Sequence, residues 1–289
     1  MQQNKLHAAL FALLCVALWG LIPVVAKFGQ TDLDSQQFLF WSSLLSFLIM
    51  LLISVLTGKW RSFKTYRVKD WLLISGNGFL GTFLYYLLLY QGYKIAGGVE
   101  VLVTQYTWPV LICLLSVVIL KERWNLNKTL AVLFGFAAVL LVLSKGNIAD
   151  IRIQEPVAIL WVLVGAASFA LFSVLSKKFT YEPVSLTCIY FLVALVASSV
   201  LLVSDDNFAV PSSDSLFSVL VNGLLVNGVS YLFWMWALKK AEASFVTPFT
   251  FATPLISLGY LMVFFDEPFL LVYGVAFGLI VLAGFFANR

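Results

Sequence analysis

Three features of this sequence predict an all-α integral membrane protein of ten transmembrane helices, arranged as two inverted five-helix repeats. The first is composition: of 289 residues, 62% are hydrophobic and only 11% charged, with a mean hydropathy of +0.98, whereas soluble domains carry about a quarter charged residues. Too few charges remain to cover a water-facing surface. The second is the clustering of those charges, which leaves apolar stretches of roughly 18 to 25 residues, the length that crosses a bilayer core at about 1.5 Å per residue. The third is a long-range register within the chain, described below.

Taken in order, the gaps between charges place spans at 7–28, 36–57, 69–93, 98–120, 127–144, 156–179, 183–203, 215–238, 243–265 and 269–287. The first follows Lys5 as a secretory signal would, but it is long and lacks a small-x-small cleavage site, so it reads as a retained helix. The third follows the basic segment 59–70 and carries Asn77, Tyr85 and Tyr86. The fourth starts near Glu100 and carries Gln105, Tyr106, Trp108 and Pro109. Polar stretches at 145–155 and 204–214 separate the fifth span from the sixth and the seventh from the eighth. The eighth holds Asn222, Asn227 and Tyr231; the ninth holds Thr247, Pro248, Thr250, Thr253 and Pro254. These connections leave no room for an extramembrane catalytic domain.

With both termini placed in the cytoplasm, only Lys27, Lys94, Lys145 and Arg152 fall outside, leaving 14 of the 18 basic residues on the inner side. That bias predicts N-in, C-in topology in a bacterial inner membrane and accounts for the net charge of +4 without invoking nucleic acid. Cys15, Cys113 and Cys188 all fall within spans, as small buried apolar side chains would, and His7 is the sole histidine. No metal site, cofactor or His-based acid–base pair is expected. No P-loop is present, so ATP-driven work through that motif is not expected, and any transport would draw on the substrate gradient or a coupled ion.

Shifting the chain by 145 residues pairs Asn77-Gly78 with Asn222-Gly223, Tyr86-Leu87 with Tyr231-Leu232, Lys94 with Lys239, Pro109 with Pro254 and Glu122 with Glu267. A shift of 150 pairs Leu10, Ala17 and Lys27 with Leu160, Ala167 and Lys177. Two repeats follow, 1–148 and 149–289. Five helices is an odd number, so the second copy enters the membrane upside down, the architecture of many secondary transporters with a midplane site.

No Asp, Glu, Lys or Arg lies mid-span, which disfavours an embedded-carboxylate proton antiporter. Glu100 is a solvated helix-start carboxylate, a partner for a substrate ammonium or a gate at the outer mouth. Asn77, Gln105, Asn222, Asn227 and Thr250 must face other helices or a wet cavity, because an unpaired amide in lipid costs about 2 to 7 kcal/mol; interhelical bonding alone would also satisfy them. Pro23, Pro109, Pro248 and Pro254 would kink their helices and free carbonyls, and the equivalence of Pro109 and Pro254 points to paired breaks around a central site. Trp41, Trp60, Trp71, Trp124 and Trp161 suit an interfacial belt. Trp19 and Trp108 fall mid-span instead. With Tyr85, Tyr86, Tyr106 and Tyr231 they would line a cavity suited to a small, partly apolar substrate, or pack in an aromatic core.

The ten-helix count, the duplicated unit and a proline followed thirteen residues later by glutamate at the ends of spans four and nine, Pro109 to Glu122 and Pro254 to Glu267, resemble the drug/metabolite transporter superfamily of EamA type. More locally, Glu100-Val101 through Gln105-Tyr106-Thr107-Trp108-Pro109, together with Leu18-Trp19, resembles bacterial aromatic amino acid exporters, with Gln105 standing where those carry Asn. The resemblance implies an exporter of amino acids or related metabolites with Trp19, Tyr106 and Trp108 in its central cavity; the substrates expected are small neutral or zwitterionic solutes, with export of other metabolites or drugs as the alternative, in a monomer surrounded by membrane lipid. A membrane-embedded enzyme would need catalytic carboxylates, histidines or metal ligands near an interface, and the chain offers only loop acids and His7. A non-transporting scaffold or receptor is a third class, disfavoured by the short loops.

Overall fold

In the computed structural model the described residues are 2–29, 31–96, 98–150, 154–204, 208–266 and 268–287. Among them nine helices are long and apolar enough to cross a membrane, and a shorter apolar tenth follows. We label them α1 (Gln3–Ala26), α2 (Ser35–Leu56), α3 (Val68–Gly92), α4 (Gly98–Gln105 continuing as Trp108–Leu120), α5 (Leu126–Leu143), α6 (Pro156–Lys178), α7 (Pro183–Val203), α8 (Ser213–Lys240), α9 (Ala243–Phe265) and α10 (Leu271–Ala287). The expected spans agree within a few residues except at the start of α1. Helix there begins at Gln2, five residues early, because Gln2 to Leu6 stay helical beyond the apolar stretch. The segment expected as a plain basic loop contains a 3-10 turn over Lys59–Thr65.

The helices pair as an inverted repeat requires. α3 packs on α6, and its counterpart α8 packs on α1; α2 packs on its own counterpart α7, and α5 on α10. The register of 145 extends to the backbone. α3 contains a π-helical turn at Phe79–Leu84, and α8 contains one at Asn222–Val229. α4 resumes at Trp108 with Pro109 in its first turn, and α9 resumes at Thr253 with Pro254 in its first turn. These prolines sit where the missing N–H would have no helical partner anyway. The two helices end on left-handed residues, Lys121 at φ 57° and Asp266 at φ 54°, also 145 apart.

The π turns let helices approach. A Cβ on Gly81 would lie 2.1 Å from the Phe172 ring of α6, so α3 and α6 meet there only because residue 81 has no side chain. Nearby polar groups bond between helices. The Asn77 amide donates to Phe172 O at 3.2 Å, Ser176 Oγ at 2.8 Å and Tyr190 Oη at 3.1 Å, and the Asn222 amide donates to Ser42 Oγ at 2.8 Å. Ser46 Oγ of α2 donates to Gly223 O of α8, and Thr82 Oγ1 of α3 donates to Tyr190 O of α7.

Short caps fix the connections. Asp34 and Gln37 form a capping box at the start of α2. Asp32 accepts from the Ser212 backbone at 2.8 Å, joining the α1–α2 and α7–α8 connections. Hydrogen bonding from Ser212, its largest influence, holds its carboxyl down at about 2.

Candidate functional site

A cavity of about 600 Å³ lies between the halves, within the range of small-molecule sites. Its floor is aromatic. Trp19 of α1 meets Trp108 of α4 edge to face at 5.9 Å and Phe169 of α6 at 6.0 Å; Trp108 also meets Phe169 at 5.0 Å. Tyr85 and Tyr86 of α3 and Tyr231 of α8 complete that level. The hydroxyls of Tyr86 and Tyr231 lie 3.1 Å apart. Two residues related by the repeat can touch only near the pseudo-two-fold axis, so this contact marks the centre of the molecule. Trp19 and Phe169, 150 apart in sequence, flank the same axis.

From that floor the lining climbs in one direction. It passes Tyr90, Gln105 and Tyr106, then Ser257, Leu258 and Leu261 of α9, to Ser35 at the start of α2, Lys145 past the end of α5 and Tyr273 of α10. Lys145 is exposed and is the one charged residue among those lining the cavity. No lining residue comes from the opposite end, where Lys121, Lys177 and Lys239 lie; we call that the basic end. The cavity therefore opens at one end and is floored toward the other.

Of the residues expected to bind substrate, the structure brings Trp19, Tyr85, Tyr86, Gln105, Tyr106, Trp108 and Tyr231 to this cavity, with Pro23 and Pro254 in its wall. Gln105 Nε2 donates to Tyr85 Oη at 2.6 Å, tying α4 to α3. The Trp19 indole N–H is buried and has no hydrogen-bond acceptor. Three expected residues lie elsewhere, and each correction has a physical reason. Asn77 is 2% exposed and spends its amide between helices. Asn227 is 3% exposed behind Tyr86, whose hydroxyl donates to it at 3.2 Å. Thr250 is fully buried in the 3-10 turn Thr247–Ala252, donating to Thr247 O.

Pro248 starts that turn and Pro109 is buried behind the wall, so both act on backbone shape and do not line the space. Glu100 falls in the first turn of α4, and its side chain lies outside the described residues, as does Glu267. Phe169, Tyr90 and Tyr273 line the cavity without having been anticipated. The shift of 150 that pairs Ala17 with Ala167 would have found Phe169 opposite Trp19. No group of three or more His, Cys, Asp or Glu side chains that could hold a metal ion occurs among the described residues.

Ten helices around a largely aromatic cavity, open at one end, define a polytopic membrane protein with the architecture of a secondary transporter. The family comparison gives the same class: the model of the EamA-like transporter family matches residues 6–144 and again 156–289. The chain belongs to the EamA-like transporter family. It is 26% identical over 281 residues to the uncharacterized transporter YoaV of Bacillus subtilis, covering 94% of this chain and 92% of that one. It is 26% identical to an S-adenosylmethionine uptake transporter of Rickettsia prowazekii, over 88% of this chain and 83% of that one. The aromatic amino acid exporter YddG of Ancylobacter novellus is 22% identical over 189 residues, 65% of this chain and 66% of the relative. A crystal structure superposes with a TM-score of 0.87 at 18% identity, covering 97% of this chain and 96% of the other, which establishes the shared fold.

Proposed function

We propose that the chain exports small neutral or zwitterionic metabolites, aromatic amino acids above all, from the cytoplasm across a bacterial inner membrane, with both termini cytoplasmic and the basic end facing inward. The single observation that carries this reading is the aromatic cavity of about 600 Å³ that straddles the repeat axis and opens at one end only. Alternating access would proceed by rocking the α3–α4 and α8–α9 hairpins around that cavity. The repeats 1–148 and 149–289 would supply one hairpin each.

The chemistry of the lining favours a planar apolar body with a polar end. Trp19, Trp108 and Phe169 offer ring faces and edges, each aromatic contact worth about 0.5–1.5 kcal/mol beyond burial. The named relative that takes up S-adenosylmethionine suggests a second reading, a bulky metabolite with a stackable base.

Purified protein in liposomes, preloaded in turn with phenylalanine, tryptophan, S-adenosylmethionine and a panel of neutral solutes, should show saturable exchange of labelled phenylalanine. Exchange of S-adenosylmethionine alone would favour the second reading. Silence across the panel, with and without a proton gradient, would overturn transport as the function.

A further inference from the structure

The helices α4 and α9 diverge like the arms of a V. Toward the open end the cavity lies between them, with Gln105 and Trp108 on one arm and Ser257, Leu258 and Leu261 on the other, while Tyr106 packs against Phe251 of α9. At the basic end a carboxylate ties the end of α4 to the start of α9. Glu122, just past the end of α4, accepts from the Ala243 backbone N–H at 2.7 Å through Oε1, and from the Ser244 backbone N–H at 3.0 Å and hydroxyl at 2.6 Å through Oε2. Those are the first two amides of α9, which helix geometry leaves without internal partners and which favour an anion. Three bonds to an ionised group, each stronger than its neutral equivalent, make this a specific tie across the repeat interface.

The connection that begins α9 is held from two further sides. Lys128 at the start of α5 pairs with Glu242 at 2.6 Å. Lys177 of α6 donates to Leu238 O at 2.8 Å and to Ala241 O, while Lys239 of α8 donates to Phe179 O, so each lysine caps the other helix's carbonyl end. The α8 contacts stay within the α6–α8 pair. The Glu122 tie links the end of α4 directly to the start of α9, beside the packing of Tyr106 and Cys113 of α4 against Phe251 of α9.

We propose that Glu122 is the latch of the closed end: its grip on Ala243 and Ser244 holds α4 against α9 and sets the balance between the conformation seen here and one opened at the basic end. Glu122 touches no substrate and acts through the position of α9. This rests on the transport reading only for the consequence to flux; the structural claim stands on its own. Cys113 is a native reporter, fully buried in a cluster with Tyr106, Val132, Val139 and Phe251 between α4, α5 and α9. Separating the arms at the basic end would wet it.

The test uses the protein with Cys113 as its sole thiol (Cys15→Ala, Cys188→Ala), reconstituted, and an impermeant maleimide reaching the basic end. Labelling should be slow with Glu122 present, at least tenfold faster after Glu122→Ala, and intermediate after Ser244→Ala, which removes one of three bonds. An unchanged rate in Glu122→Ala protein that is monodisperse and titrates fully on denaturation would overturn the proposal. Should that variant fail to fold, a second arm decides. With the native cysteines replaced, Glu122→Cys and Ser244→Cys are bridged by a short bifunctional methanethiosulfonate; bridging should stop solute exchange and reduction restore it, and exchange that continues while bridged would overturn the latch. A labelling response without flux for any solute would leave the latch standing and remove the transport reading.

Discussion

At the basic end α4 and α9 meet through Glu122, with lysine side chains capping carbonyl ends around them; at the other end the same helices stand apart across a cavity of about 600 Å³ lined by aromatic rings. An inverted repeat supplies counterpart elements to both ends, so a difference this large is a difference of state. Glu267 and Lys94 are the sequence counterparts of Glu122 and Lys239, and their side chains lie outside the described residues. The contrast teaches that closure in this fold is made of backbone amides and carbonyls gripped by a few ionised side chains, while the binding region is made of uncharged rings. One part is electrostatic and separable; the other is packed and permanent.

The largest expected effect sharpens the binding side of that contrast. Trp108→Ala removes ring contacts to Trp19, Phe169 and Trp234 and should cut substrate exchange more than tenfold in protein that still elutes as a single species; unchanged exchange would take Trp108 out of the site. Next comes the packing between α3 and α6. Gly81→Ala places a methyl 2.1 Å from the Phe172 ring and should cost about 1–3 kcal/mol by overpacking, seen as a lower melting temperature. Gly76→Ala, five residues earlier with nothing within 4 Å, is the matched control and should leave that temperature unchanged or raised. Equal melting of the two would mean that α3 and α6 are not held as close as described.

A smaller effect compares the halves. Asn77→Ala removes contacts to three acceptors and should cost about 1–2 kcal/mol, whereas Asn222→Ala, with one partner, should cost about 0.6 kcal/mol, in line with membrane-buried hydrogen bonds. A loss of exchange from Asn77→Ala without loss of stability would return Asn77 to the substrate path. The smallest effect is expected at the surface tie of Asp32. Its carboxyl titrates at about 2 when folded against about 3.9 unfolded. A depressed carboxylate contributes above the unfolded value and loses that contribution as pH falls through the folded one. Asp32→Ala should therefore alter thermal stability little above pH 4 and not at all below pH 2, because the group is fully exposed and screened.

Span positions were legible because charges are excluded from the bilayer core, so gaps between Lys, Arg, Asp and Glu map directly onto helices. The breaks in α4 and α9 were legible through Pro109 and Pro254. The π turns were not, since nothing in Phe79–Leu84 or Asn222–Val229 signals an extra residue per turn; the glycines there, Gly78 and Gly81, Gly223 and Gly228, are equally at home in a close helix contact. Asn77 and Thr250 were placed in the cavity because polarity within a span shows that a partner exists without showing which face it occupies. Phe169 was overlooked because phenylalanine is common in this chain and single ring positions carry little information until a counterpart such as Trp19 is aligned with it. Glu122 was noticed only as half of a repeated Pro-to-Glu spacing; its role depends on α9 beginning beside it, a tertiary fact.

The central claim is that solute passes through this cavity as α4 and α9 part at the basic end. The most direct measurement is exchange of labelled phenylalanine in proteoliposomes by Glu122→Cys/Ser244→Cys protein before bridging, while bridged and after reduction. The account predicts saturable exchange, its loss on bridging and its return on reduction; exchange indifferent to the bridge would contradict it.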